Sequence, residues 1–202
     1  MKEQLVIKEG CKKRFLPVVN ETDRLLLSAK SPIIVAVDGM SASGKTTLSY
    51  YLKEVFDCNI FHMDDFFLQN YQRTEERMKE VGGNVDYERF KAEVLEPLQE
   101  KRDVIYRPYR CDIGKIEEET VIPFKRLNIV EGSYSQHPYF GKIYDLKVFT
   151  KIGQESQTER IRKRNGEQML ERFVTEWIPK EHDYFEKFQI EKDSLVINND
   201  RN

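Results

Sequence analysis

An apolar segment that runs directly into a glycine-rich loop constrains the fold of this chain more than any other feature. Residues 33–37 read Ile-Ile-Val-Ala-Val, which is typical of a strand buried on both faces. After Asp38, residues 39–46 match the pattern G-x-x-x-x-G-K-T, and residues 46–56 carry apolar side chains at helical spacing. The order of strand, loop and helix predicts a phosphate-binding loop within an α/β fold.

The residue types in this loop suit a nucleoside triphosphate. Gly39 and Gly44 permit backbone angles that turn consecutive N–H groups inward. Lys45 can reach the outer phosphates, and the Thr46 hydroxyl can bind Mg²⁺. We therefore predict ATP and Mg²⁺ as cofactors, with the preference among ATP, GTP and other donors left open. The expected nucleotide contacts are Gly39, Ser41, Ala42, Ser43, Gly44, Lys45, Thr46 and Thr47.

Composition limits the remaining classes of protein. With 202 residues, 39% hydrophobic and 34% charged, the chain can build one α/β domain with a substantial core, and we expect a single domain over 1–202. A net charge of −2 gives no overall field that attracts nucleic acid or an anionic membrane. Three scattered cysteines and the lack of a signal-peptide core or a long apolar run predict reduced thiols and a soluble, cytoplasmic protein.

Strand-like and helix-like segments alternate, which predicts a doubly wound, mostly parallel sheet flanked by helices. Besides the first strand, buried-type strands are expected at residues 58–63, 127–132, 145–150 and 195–198, and two further strands, 104–109 and 118–123, around a turn at Gly114.

The helices and loops follow from capping residues and apolar spacing. An N-terminal extension, residues 1–30, is predicted to hold a strand over 4–8 and a helix that begins near Asn20 and ends before Pro32. The remaining predictions are a loop over 68–86, a helix over 87–99 capped by Asp86, and two helices between 155 and 190.

Acidic residues follow two of the predicted strands, where α/β folds place their chemistry. Asp64 and Asp65 lie among aromatic residues, so this pair of carboxylates needs a cation or a donor hydroxyl nearby. One of them can accept the proton of an attacking hydroxyl while the other orients metal-bound water or a basic side chain, and the residues alone do not decide which. Glu131 ends another strand and is a candidate to orient metal-bound water.

A cluster of cations follows the strand predicted at 145–150. In a helix, Arg160, Lys163 and Arg164 share one face and Arg162 lies on the other. Three cations on one face can clamp an anion, which predicts an arginine-bearing helical lid over about 154–168. No histidine or cysteine shows the spacing of a metal site or a nucleophilic triad, so we assign them no role.

The order of these motifs resembles the uridine kinase and phosphoribulokinase family of P-loop small-molecule kinases. The likeness extends over roughly residues 31–200 and is carried by 37–46, 62–67, 84–86, 107–109, 130–132 and the arginines of the lid. It implies an ATP- and Mg²⁺-dependent kinase that phosphorylates a hydroxyl of a small metabolite, with a nucleoside such as uridine or cytidine as the leading acceptor.

The resemblance also implies roles for individual residues. Asp64 matches the catalytic base, and Glu131 matches the acid that orients metal-bound water. Asp86 matches a ligand to the acceptor hydroxyls and Tyr109 a wall of the acceptor pocket, while Asp65 is expected to contact substrate. The lid arginines of the family are matched by Arg160 and Arg164.

Two departures from uridine kinases keep other acceptors open. Residues 110–114 lack the histidine that follows the pocket tyrosine in those enzymes, and residues 165–168 replace their E-R-G-R stretch. Nicotinamide riboside, pantothenate or a sugar are therefore alternative acceptors, and a regulatory ATPase without an acceptor is the alternative from another class. Self-association is left open.

Overall fold

The computed structural model describes residues 7–28 and 30–200. The helices are α1 (Glu9–Leu26), α2 (Lys45–Val55), α3 (Glu75–Lys79), α4 (Tyr87–Phe90), α5 (Glu96–Gln99), α6 (Gln154–Asn165), α7 (Glu167–Arg172) and α8 (Ile178–Lys187). The strands are β1 (Ile33–Gly39), β2 (Cys58–His62), β3 (Val104–Tyr106), β4 (Tyr109–Arg110), β5 (Lys115–Ile116), β6 (Thr120–Ile122), β7 (Leu127–Glu131), β8 (Leu146–Lys151) and β9 (Leu195–Asn198).

Five strands form the central sheet in the order β2-β7-β1-β8-β9, and every pair in it is parallel. The predicted α/β P-loop fold, with a doubly wound sheet flanked by helices, is confirmed. All seven residues of β1 are buried, as expected for a strand covered on both faces.

The side chains of β1 alternate between two cores on opposite faces of the sheet. Ile33, Val35 and Val37 are buried in a core to which α1 and α2 contribute. Ile34 is buried in the other core, which contains Tyr184 of α8 and residues from α4 and α5. Because successive side chains of β1 enter different cores, residues 33–37 are all apolar, which explains the uninterrupted apolar run in the sequence.

The sheet brings the ends of three strands together at its carboxyl edge. β7 lies between β2 and β1, and its last residue, Glu131, pairs with Val37 on one side and His62 on the other. The phosphate-loop segment begins at Gly39, two residues beyond Val37. Acidic residues that are distant in sequence are thereby placed at the mouth of the loop, where parallel sheets bind ligands.

The N-terminal helix begins much earlier than expected. α1 starts at Glu9 and continues through Pro17, so the predicted start near Asn20 is wrong. Phe15, Val18 and Thr22 are buried along one face of it, and this packing outweighs the backbone hydrogen bond that a proline removes. The strand predicted over 4–8 falls largely outside the described residues, and Ile7 and Lys8 have no regular secondary structure.

The remaining predictions are close to the observed elements. The segment 68–86 is not all loop, because it contains a 3₁₀ turn at Asn70–Gln72 and α3. Asp86 caps the next helix through the N–H of Arg89, and a π-helical turn joins α4 to α5. The strands around Gly114 form two antiparallel pairs, β3 with β6 and β4 with β5. Within the described residues, none of the helices has the length and apolar character needed to span a membrane.

Candidate active site

The backbone of the glycine-rich loop has the shape that its sequence predicts. Gly39 has a φ of 135°, and a Cβ on it would lie 2.1 Å from the carbonyl oxygen of Thr150. Gly44 has a φ of 101° and directly precedes α2, where a Cβ would lie 2.4 Å from Asn199 Nδ2. Both positions therefore require glycine, and they direct the loop into the N-terminus of α2, which favours an anion.

Lys45 is anchored at the mouth of this loop. Its ammonium donates hydrogen bonds to the carbonyl oxygens of Gly39 (2.7 Å) and Met40 (3.0 Å) and to Ser133 Oγ (3.2 Å). Ser133 lies just beyond β7, so the lysine connects the loop to the neighbouring strand. An ammonium has only donors, so Lys45 can exchange the two carbonyl oxygens for the oxygens of an anion while it keeps Ser133 as a partner.

Thr46 and Glu131 form the oxygen-rich side of the site. Thr46 Oγ1 lies 3.3 Å from both carboxylate oxygens of Glu131. His62, which received no role from the sequence, places Nδ1 2.5 Å from Glu131 Oε1. Burial alone would lower the pKa of His62, but the contact with Glu131 together with the nearby charges of Asp65 and Asp64 raises it. The two side chains meet because β2 pairs with β7 in a register that places His62 opposite Glu131. The sequence does not show that these two strands are neighbours.

Asp64 and Asp65 lie on a 3₁₀ turn, Met63–Phe66, that follows β2. The Asp64 carboxylate is open to the central cavity, although the cavity walls remove much of its water; that desolvation and the nearby charge of Glu131 raise its pKa. Asp65 accepts a hydrogen bond of 2.7 Å from the Tyr106 hydroxyl. The two adjacent acids therefore have different surroundings, and the donor hydroxyl that the sequence required for the pair is Tyr106.

The cavity that holds these groups has a volume of about 870 Å³, large enough for a nucleotide and a small acceptor. Among the predicted site residues it is bordered by Ser41, Ala42, Gly44, Lys45, Thr46, Thr47, Asp64, Glu131, Arg160 and Arg164. Ser43 is instead fully buried, with its hydroxyl 2.5 Å from that of Thr150.

Asp86 and Tyr109 are placed away from the cavity surface. Asp86 is buried, with one carboxylate oxygen accepting from the N–H of Arg89 (3.0 Å) and the other from Gln72 Nε2 (2.8 Å). Tyr109 is also buried, in β4. In this conformation Asp86 serves as a helix cap, and its expected role toward an acceptor stays a prediction.

Two arginines of α6 border the cavity, and one of them contacts the glycine-rich loop. Arg160 donates to the carbonyl oxygens of Ala42 (3.2 Å) and Asn199 (2.7 Å). Arg164 is exposed and lies with its guanidinium 5.9 Å from the ring centre of Phe173. Lys163, the third cation predicted for this face, is exposed and does not border the cavity.

The sequence did not predict that α1 would take part in the site. Lys8, Gly10, Cys11 and Arg14 border the cavity. Arg14 Nε donates to Asn199 Oδ1 (3.0 Å), and Asn199 Nδ2 donates to the carbonyl oxygen of Ser43 (2.7 Å). The two ends of the described chain therefore meet at the phosphate loop.

The fold has clear counterparts among solved structures. A possible uridine kinase from Bacillus stearothermophilus has a TM-score of 0.71 at 18% sequence identity, over 93% of this chain and 99% of that one. A "putative fructose transport system kinase" from Silicibacter sp. TM1040 has a TM-score of 0.66 at 19% identity, over 93% and 98% of the two chains. For the YGR205w protein the score is 0.55 at 14% identity, over 93% and 91%.

The chain has the P-loop kinase fold. No protein-family model matches its sequence, and no curated protein matches it significantly. At these low identities the likeness concerns the fold alone, so the chemistry has to be argued from the residues of this chain.

In a P-loop kinase fold, little covalent chemistry falls to the protein, because the barrier to phosphoryl transfer is lowered by positioning and charge. The cavity brings together the groups that such a reaction needs. Lys45 borders it at the start of α2, Thr46 and Glu131 offer oxygen ligands, and Asp64 offers an open carboxylate. Arginine side chains complete the cationic side of the cavity.

Proposed function

We propose that the protein is an ATP- and Mg²⁺-dependent kinase that transfers the γ-phosphoryl group to a hydroxyl of a small metabolite. The observation that carries this proposal is the placement of Asp64. Its open carboxylate borders the same cavity as the phosphate loop and the lid arginines, so an acceptor hydroxyl can lie between a proton acceptor and the terminal phosphate.

The residues present suit Mg²⁺. Thr46 and Glu131 provide a hydroxyl and a carboxylate 3.3 Å apart beside the loop. Proteins hold Mg²⁺ in nucleotide sites through one or two such oxygens together with substrate phosphates and water. The bound ion would neutralise charge on the phosphates, and Glu131, held in place by His62, would orient its water ligands.

The remaining groups act on charge and on the acceptor. Asp64 accepts the proton of the attacking hydroxyl, and its raised pKa makes it a better base than an ordinary aspartate. Lys45, Arg160 and Arg164 neutralise the negative charge that spreads over the transferred group. Closure of the lid on α6 excludes water, which would otherwise compete with the acceptor.

A nucleoside such as uridine or cytidine is the leading acceptor. The motif order supports it, and so does the fold likeness to a structure named as a possible uridine kinase. Phe67 and Tyr134 border the cavity near Asp64, and aromatic walls suit a base. In this proposal Asp65, Asp86 and Tyr109 contact the acceptor, and Asp86 does so by exchanging its bond with Gln72 for an acceptor hydroxyl.

A sugar is the second candidate acceptor, favoured by the likeness to the Silicibacter protein. Nicotinamide riboside and pantothenate are further candidate acceptors for the same class of reaction.

We place the protein in the cytoplasm, where Cys11, Cys58 and Cys111, all free thiols in the structure, stay reduced.

The test is ADP release from Mg·ATP, measured with water alone and with nucleosides, nicotinamide riboside, pantothenate and simple sugars. Release stimulated by uridine or cytidine supports the leading acceptor, and stimulation by another compound replaces it within the same mechanism. Lys45→Ala is the control and should lower stimulated release by about 100-fold or more. Equal release with and without every acceptor would contradict the kinase proposal and favour a regulatory ATPase.

A further inference from the structure

Glu181 is a buried carboxylate on α8 that contacts the phosphate loop. Its side chain comes from a helix that follows the lid, and the residue is only 4% exposed. Oε2 accepts a hydrogen bond from the N–H of Ser41 (2.9 Å), and Oε1 accepts from the Ser41 hydroxyl (2.7 Å). A loop residue is thus held at two points by one charged group, and charge-assisted bonds of this kind are among the stronger ones.

Ser133 extends this network to Lys45. The Ser133 hydroxyl lies 2.6 Å from Glu181 Oε1 and 3.2 Å from Lys45 Nζ. A lysine ammonium can only donate and a carboxylate can only accept, so Ser133 must accept from Lys45 and donate to Glu181. Glu181 therefore sets the direction of the Ser133 hydroxyl, and that hydroxyl in turn presents a lone pair to the lysine.

A second bond links the same helix to the start of the loop. One turn after Glu181, the Tyr184 hydroxyl donates to Asp38 Oδ2 (2.9 Å), and Asp38 Oδ1 accepts from the N–H of Gly39 (2.7 Å). Asp38 and Tyr184 are fully buried. α8 is thus fixed to the first half of the phosphate loop at two separate places.

A negative charge in this position does not favour a polyanionic ligand. Glu181 borders the cavity next to Ser41, and its charge repels phosphate oxygens. The Glu181 carboxylate therefore does not strengthen nucleotide binding. Its hydrogen bonds to Ser41 and Ser133 indicate that it positions these residues.

We propose that Glu181 is a positioning residue for phosphoryl transfer, which holds Ser41 and, through Ser133, the Lys45 ammonium in the arrangement that the transferred group requires. The proposal rests on the kinase function put forward above. Because Glu181 acts through other groups, its loss should lower the rate of transfer without weakening the binding of ATP.

The test uses Glu181→Gln, which keeps the shape of the side chain and removes its charge and one acceptor. The matched control is Asp183→Asn, which removes an exposed carboxylate from the same helix. We expect Glu181→Gln to lower kcat by about tenfold or more, because small misplacement of reacting groups is costly. The Kd for ATP should stay within about threefold of the wild-type value or become tighter, since a repulsive charge is lost. Asp183→Asn should change neither quantity.

A double-mutant cycle with Ser133→Ala separates positioning from general weakening of the fold. If both residues act through Lys45, the double variant should be scarcely slower than the slower single variant. Thermal unfolding of each variant ensures that rates are compared well below its midpoint. Glu181→Asn or Glu181→Ala gives a second, more severe substitution in the same assay, and it should be at least as slow as Glu181→Gln.

Three outcomes would overturn the inference. They are a kcat for Glu181→Gln within about twofold of wild type, a loss of kcat matched by an equal rise in the Kd for ATP, and rate losses that simply multiply in the double variant. Failure of the kinase function itself would look different, because the wild-type protein would then show no acceptor-stimulated release of ADP.

Discussion

Asp64 and Asp65 are neighbours in sequence, yet the fold gives their carboxylates different surroundings. The Tyr106 hydroxyl occupies one oxygen of Asp65, and the backbone carbonyl of Asp65 accepts from Arg89. Asp64 has its carboxylate open to the cavity and a raised pKa. The geometry therefore favours Asp64 as the base, an assignment that residue types alone could not make.

We predict that Asp64→Asn lowers kcat by about 10²–10⁴-fold, the usual contribution of a general base, with little change in the Kd for ATP. Wild-type activity should fall on acidification at a pH above the ordinary pKa of an aspartate, because the raised pKa of Asp64 leaves it protonated there. Steady-state rates across pH and equilibrium nucleotide binding check both statements.

Asp65→Asn is the matched control for this prediction. It keeps the shape of the neighbouring side chain and should cost less activity than Asp64→Asn, since the Asp65 carboxylate is bonded to Tyr106 and is not proposed to accept the proton. If Asp65→Asn abolishes turnover while Asp64→Asn leaves it nearly intact, the assignment of the base is reversed.

Among the helices, α6 brings two arginines of one face to the cavity. Arg160 already bonds the loop carbonyl of Ala42, whereas Arg164 lies at the exposed edge of the cavity. The exposed position suits a side chain that engages the phosphates only when the lid closes.

We predict that Arg164→Ala lowers kcat by roughly tenfold, because one cation facing the transferred group is lost. Lys163→Ala removes the adjacent exposed charge, which does not border the cavity, and should leave kcat nearly unchanged. Steady-state kinetics of the two variants side by side are the measurement. Equal effects of both substitutions would mean that α6 contributes only general charge and that the lid assignment is wrong.

Elements that are specified by a short stretch of sequence were predicted correctly, and elements that depend on packing against distant residues were not. The phosphate loop and the cap at Asp86 follow from short patterns, and both are present. The start of α1 was predicted too late because Asn20 is a local capping signal, while the packing of Phe15 and Val18 in the core of the sheet is a tertiary effect. The contribution of Arg14 to the cavity was missed for the same reason.

At the scale of the whole molecule, buried apolar strands predicted a parallel sheet but not the order of its strands. That order places β7 between β1 and β2, and it alone brings Glu131 beside His62 and Thr46. Contacts of this kind depend on which strands are neighbours, and the pattern within a single strand does not show its neighbours. The sequence therefore identified candidate residues from their chemical type and position, but it did not show which of their side chains are in contact.

In the proposed reaction the phosphoryl group passes to an acceptor hydroxyl and not to water. The two fates are distinguished by following the label of γ-labelled ATP in the presence of Mg²⁺ and the acceptor that best stimulates ADP release. We expect the label mainly in a phosphorylated organic product, and we expect Asp64→Asn to suppress this product. Label that appears only as inorganic phosphate, at a rate independent of every acceptor, would contradict the proposed reaction.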